Sequence, residues 1–274
     1  MAQFIVDPDK CNRDYICESE CPLHIIKLTD ESPTPTLIEN GEDMCINCGH
    51  CVAACPSGAI SLSSMLVEEC ASTEDMHLPS AEQFANLVRS RRSTRVYKDK
   101  PVEKEKLERI LDTVRYAPTG KNTQLIRWLV ISSREKLENL ASICIDWMRD
   151  QIDKQTPMAA AFDMPRIVAS WDKGYDYILR GAPGLVIAYA PRAYPGGVID
   201  STIALNTFEL TALTEGLGTS WAGYFMIAAG QWPPLQKALE LPDEHVLTTT
   251  MMVGYPKRSY KRIPLRNEAK IMWR

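Results

Sequence analysis

Cys45-x-x-Cys48-x-x-Cys51-x-x-x-Cys55-Pro56 is a complete bacterial-type [4Fe–4S] motif of four thiolates. Three thiolates on a tight loop surround one cubane, and the fourth, beyond a short turn, reaches a second one. Structural zinc normally takes two separated CxxC pairs or a Cys/His mixture, a different pattern. Upstream, Cys11, Cys17 and Cys21-Pro22 repeat the offsets of Cys45, Cys51 and Cys55-Pro56, with Asp14 at the position of Cys48. An ionised aspartate carries a thiolate's charge and can bind iron through oxygen. Carboxylate is a harder donor than sulfur, so that iron should be the most labile. Two readings stand: Asp14 ligates and completes a [4Fe–4S] cluster, or it is a solvated loop residue beside a [3Fe–4S] cluster.

A second group of candidates begins with Arg89–Arg95, which reads RSRRSTR. Such a run is a solvated helix end or a phosphate clamp, in which Arg91, Arg92 and Arg95 fork onto oxygens and Ser93 adds a hydroxyl. Nucleic acid is not indicated, because the net charge is −4 and no aromatic residues interleave the basic ones. Asn122 and Gln124 close the turn APTGKNTQ, where their amides could pair with a heterocycle edge. Gly216–Gly223 reads as a turn of small residues that lets backbone N–H groups approach a ligand closely. A second basic cluster follows Gly254-Tyr255-Pro256 and includes Arg262. His24, His50, His77 and His245 lack the spacing of a metal site or a triad, although His50 could tune a cluster's potential. Cys70 and Cys144 read as unpaired thiols. No catalytic nucleophile, acid–base pair or dinucleotide glycine loop is evident.

The elements that position these groups fall into two parts. Residues 1–62 hold seven of the nine cysteines and short apolar segments, too little apolar surface to fold without a metal staple. Residues 63–82 read as a connector, and residues 83–274 as the larger domain. A capping box, Ser80-x-x-Gln83, opens a helix with Phe84, Leu87 and Val88 on one face. Leu107, Ile110, Leu111 and Val114 mark a second helix, which Pro118 stops. Residues 126–131, 185–190 and 246–253 read as strands. Residues 199–217 form a helix apolar nearly all round, to be buried in a core or against another subunit. The mixture is α+β, a sheet covered by helices. The sequence shows no signal peptide and no apolar run near the roughly 18 residues of a membrane span, so a cytoplasmic protein that binds no membrane is expected.

Residues 3–62 resemble two-cluster bacterial ferredoxins. The resemblance implies crossed ligation, with Cys11, Asp14, Cys17 and Cys55 around one cluster and Cys45, Cys48, Cys51 and Cys21 around the other. From about residue 83 onward, five motifs taken in order resemble the nitroreductase superfamily of FMN flavoproteins. They are Arg91-Arg92-Ser93-x-Arg95, Ala117-Pro118-x-x-x-Asn122-x-Gln124, Arg180-Gly181-Ala182-Pro183, Gly216-Leu217-Gly218-Thr219-x-Trp221-x-Gly223 and Gly254-Tyr255-Pro256. The whole chain is similar to the branch of that superfamily with an N-terminal ferredoxin domain. What this implies is a ferredoxin-like 2[4Fe–4S] domain, then a nitroreductase-like sheet domain flanked by helices, assembled as a homodimer with FMN at the subunit interface. Arg91, Arg92, Ser93 and Arg95, helped by Arg262, would hold the phosphate and ribityl chain. Asn122 and Gln124 would contact the flavin, and Ser220, Trp221, Ala222 and Gly223 would lie along its ring. Tyr260 stands where some relatives place a lysine. The expected activity is a flavin-dependent reductase, supplied through the clusters by ferredoxin or another low-potential donor and reducing a small electron-poor acceptor. The alternative is an electron-transfer module that serves a protein partner.

Overall fold

A computed structural model of the chain describes residues 3–274. It forms two compact units: Met1–Leu78 with Gly120–Thr123, and Pro79–Thr119 with Gln124–Arg274.

In the first unit, β1 (Phe4–Val6) and α1 (Ile16–Glu20) are followed by the short antiparallel pair β2 (Ile26–Lys27) and β3 (Thr36–Leu37). Then come α2 (Gly41–Met44), α3 (His50–Ala54) and β4 (Ile60–Leu62), which returns antiparallel to β1 with Phe4 opposite Leu62. The duplicated spacing appears as duplicated backbone. Tyr15 (φ 61°) and Gly49 (φ 72°) enter α1 and α3 from the left-handed region. Cys21 (φ −72°, ψ 111°) and Cys55 (φ −71°, ψ 112°) end those helices in nearly the same extended conformation. Pro22 and Pro56 explain the ends, because a residue before proline is pushed out of the helical region.

The boundary at Leu78 differs from the expected one at residue 62, and residues 63–78 of the expected connector fold with the first unit. Met65 and Val67 are the reason. They pack against the core of Ile25, Ile26, Val52, Ile60 and Leu62, and Val67 donates its N–H to Ser61 Oγ at 3.0 Å.

The second unit begins with α4 (Ala81–Ser90), whose capping box is complete: Gln83 N–H donates to Ser80 Oγ at 3.2 Å and Ser80 N–H to Gln83 Oε1 at 2.8 Å. It continues through α5 (Lys104–Val114), β5 (Arg127–Ile131), α6 (Arg134–Asp153), α7 (Pro157–Ala161), α8 (Met164–Trp171) and β6 (Gly184–Pro191). Then follow α9 (Gly197–Thr214), β7 (Gly218–Trp221), α10 (Gly223–Gln231), α11 (Pro233–Ala238) and β8 (His245–Gly254). The sheet runs β5-β6-β8-β7 with every pair antiparallel.

Alternation along the central strands sorts the core into two layers. Leu185, Ile187 and Met252 face residues of α6, α8, α10 and α11, while Val186, Met251 and Val253 face α5 and α9. Fully buried side chains such as Phe208 and Ile110 each contribute about 1.5–3 kcal/mol through lost apolar surface.

The expected strands agree to within a residue or so. The stretch 216–223, read as a turn, divides instead: Gly216 turns with φ 74°, and Gly218–Trp221 is an edge strand paired with β8. The helix apolar all round is α9. Its Ala204, Leu205, Phe208 and Ala212 enter the core, while Val198, Ile199 and Ile203 remain exposed. Likewise α4 buries none of its residues and leaves Phe84 and Val88 exposed.

Candidate functional site

Two cavities in the first unit collect the cysteines. One is lined by Cys21, Cys45, Cys48 and Cys51, with Ile25, Ile26, Leu37 and Leu62 as apolar wall. The other is lined by Cys11, Asp14, Cys17 and Cys55. These are the two crossed sets that the resemblance implies. Extended Cys21 and Cys55, set by the prolines, deliver each fourth thiol to the cavity of the other half.

Electrostatics groups the same residues. Burial pushes the Cys51 thiol up to about 12, with Cys48, Cys45 and Cys21 adding repulsion. Burial also raises the Cys17 thiol, with Asp14, Cys11 and Cys55 adding to it. A soft, positively charged core surrounded by thiolates relieves both effects, so the donor chemistry fits iron–sulfur clusters. Among the described residues no three His, Cys, Asp or Glu side chains gather closely enough to hold a single metal ion. The donors line cavities, as a polynuclear core requires.

Asp14 Oδ1 also accepts the Ile16 N–H at 3.1 Å, and Ala59 N–H donates to Cys55 Sγ at 3.3 Å. Such N–H···S bonds stabilise a ligating thiolate. Asn122 lies with this unit: its Nδ2 donates to the carbonyls of Asn47 at 2.8 Å and Ile46 at 3.3 Å, inside the Cys45–Cys48 loop. Its amide thus steadies that loop. Gln124 belongs to the second unit, its N–H on Thr119 Oγ1 at 3.0 Å.

In the second unit the arginine run reaches the sheet. Ser93 bridges Thr219 in parallel, Thr94 N–H donates to the Thr219 carbonyl at 2.8 Å, and Tyr97 bridges Pro256. Segment 93–98 therefore lies between β7 and residues 255–257, joining three motifs from widely separated parts of the chain. Beside this seam is a cavity lined by Arg91, Arg92, Lys98, Lys257 and Arg258, by the carboxylate of Glu209, and by Ser90, Thr94, Leu213, Gly216–Thr219 and Tyr255–Tyr260. Gly218 is needed there, because a Cβ would stand 2.2 Å from Thr94 Oγ1. A cationic wall and glycine backbone suit a phosphorylated ligand.

Tyr260 donates its hydroxyl to the Ser93 carbonyl at 3.4 Å. Arg95 is exposed, Ser220 and Ala222 are buried, Trp221 is partly exposed, and Gly223 opens α10. Arg262 lies on the exposed chain after β8 and does not line the cavity.

Sequence reasoning missed Glu209. It is buried on α9, and its Oε1 accepts Arg91 Nη1 at 2.9 Å and Thr219 Oγ1 at 3.2 Å. The available signal was an acid on a helix otherwise apolar nearly all round.

The second unit is thus an antiparallel sheet between helical layers with a cationic cavity at its edge, and the first unit holds two thiol-lined cavities. The sequence profile of the nitroreductase family matches residues 88–255, and that of the 4Fe-4S dicluster domain matches residues 9–60. The chain belongs to the nitroreductase family and carries an N-terminal 4Fe-4S dicluster domain.

Among curated relatives, it is 29% identical over 181 residues to FMN reductase [NAD(P)H] of Bacillus subtilis, covering 65% of this chain and 68% of the relative. It is 24% identical over 197 residues to iodotyrosine deiodinase of Danio rerio, covering 67% and 63%. Among solved structures, a nitroreductase with bound FMN from Bacteroides fragilis superposes with a TM-score of 0.57 at 19% identity, covering 69% of this chain and 98% of that one. Among the described residues no helix is long and apolar enough to cross a membrane.

Proposed function

We propose that the protein is an FMN-dependent reductase whose N-terminal clusters receive electrons from ferredoxin or another low-potential donor, and whose flavin site reduces a small electron-poor organic acceptor. The observation that carries this is the joining of segment 93–97 to Thr219 and Pro256, beside a cationic cavity that Arg91, Arg92, Gly218, Thr219, Tyr255 and Pro256 line. The FMN named for the B. subtilis relative and bound in the B. fragilis structure supports the cofactor.

Arg91, Arg92, Ser93 and Arg95 would hold the phosphate and ribityl chain. Ser220–Gly223 and Gln124 would serve the ring. Because the Ala222 N–H is engaged by the Thr250 carbonyl at 3.2 Å, a backbone donor toward the ring comes best from the first turn of α10. Cys11, Asp14, Cys17 and Cys55 would hold one cluster, and Cys45, Cys48, Cys51 and Cys21 the other. Clusters pass single electrons, and a flavin collects them and delivers a pair or a hydride, so the protein's part is position, dryness and charge. The exposed apolar faces of α4 and α9 suit a homodimer.

The test is anaerobic purification with iron, sulfide and flavin quantified on one sample. About eight irons per chain are expected, or about seven if Asp14 does not ligate, with one FMN. A preparation reconstituted without air that never exceeds one cluster, or that retains no flavin, contradicts the proposal. Turnover of nitroaromatics or quinones separates the reductase from a pure electron-transfer module.

A further inference from the structure

We infer that Glu209 is a positioning residue that holds Arg91 for the phosphate of the flavin nucleotide, an inference that rests on the FMN reading above. Only 5% of the Glu209 side chain is exposed, against 25% for Arg91. Burying an ionised carboxylate is costly, and a buried ion pair is often no more stable than an apolar pair of the same volume. Stability alone therefore gives little reason for an acid on this face of α9.

Geometry gives a better one. A single oxygen, Oε1, takes the guanidinium of Arg91 at the end of α4 and the hydroxyl of Thr219 on β7. The carboxylate thus ties the first arginine of the RRSTR segment to the strand that this segment joins. One Nη is committed to Glu209, and a guanidinium carries five N–H donors, so others remain for a ligand. Arg91, Arg92, Lys98, Lys257 and Arg258 line the cavity against the carboxylate of Glu209, so its walls carry a cationic excess. Cations so placed recognise a dianion, and a fixed fork binds one better than a mobile side chain, because less rotamer entropy is lost on binding.

Riboflavin has the ring and ribityl chain of FMN without the phosphate. If Glu209 acts through Arg91, its replacement should penalise FMN and spare riboflavin. The 274-residue chain, freed of flavin, is titrated with each by equilibrium ultrafiltration. Glu209→Gln should weaken FMN about tenfold while riboflavin changes less than twofold, the size expected for one charge-assisted contact. Thr219→Val, which removes the second donor to Oε1, should shift the same ratio less far, and it carries the test if Glu209→Gln does not fold. Equal weakening of both flavins, or no change in either, overturns the positioning role and leaves the FMN reading intact. A wild-type chain that binds neither flavin overturns both.

Discussion

The 2.9 Å pair of Arg91 and Glu209 makes a claim about stability separable from the one about flavin. Arg91→Ala leaves a buried carboxylate without its counter-charge and should cost about 2–3 kcal/mol, read from the denaturation midpoint. Adding Glu209→Gln to that variant should recover much of the loss, since a neutral amide is cheaper to bury. A double variant as unstable as the sum of both singles refutes the pairing. Asp14 supports a second residue-scale prediction. Asp14→Cys should make the first cluster harder to convert to a three-iron form, followed by electron paramagnetic resonance; equal lability in both proteins defeats the carboxylate argument. The cysteines were legible in the sequence because ligation spacing is a local property and the motif is repeated. Glu209 was not, since its partner lies 118 residues away and only the folded chain joins them. The bonds of Asn122 were illegible for the opposite reason. A turn amide looks alike whether it faces a heterocycle or, as here, the carbonyls of Ile46 and Asn47.

Strand β7 shows what periodicity reveals of an element and what it hides. Four residues rich in Gly, Thr and Ser carry no apolar alternation, so Gly218–Trp221 read as turn, yet pairing with β8 on one side and Ser93–Thr94 on the other makes it strand. Longer apolar runs such as β6 and β8 needed no such context, because their side chains declare burial on both faces. The pairing gives a test. Gly218→Ala would press a methyl to 2.2 Å from Thr94 Oγ1 and 2.9 Å from Pro256 Cγ. It should cost about 1–3 kcal/mol and loosen bound flavin, as the seam must open. Gly223→Ala meets nothing within 4 Å and should leave thermal stability within about 0.5 kcal/mol of the parent. If the two variants melt alike, the close seam is not present in solution.

For the whole molecule, the two-part organisation was readable from where the cysteines stop, although the first unit continues to Leu78 because Met65 and Val67 anchor the chain to it. The exposed Val198, Ile199 and Ile203 of α9 and Phe84 and Val88 of α4 predict association of two copies. Ile199→Asp should give a monomer by analytical ultracentrifugation and should lose flavin with it; a wild-type monomer that keeps its flavin contradicts a site built at the interface. Joining clusters and flavin site in one chain raises their effective concentration and has a purpose only if electrons pass between them. The B. subtilis relative has NAD(P)H in its name, whereas this chain carries the dicluster domain. The most direct measurement is therefore stopped-flow reduction of the bound flavin by reduced ferredoxin, comparing the intact protein with a Cys48→Ser, Cys51→Ser variant shown to retain flavin. The account predicts fast reduction in the intact protein and a large loss of rate in the variant, with NAD(P)H slow in both. Equal rates with ferredoxin in the two proteins would contradict it.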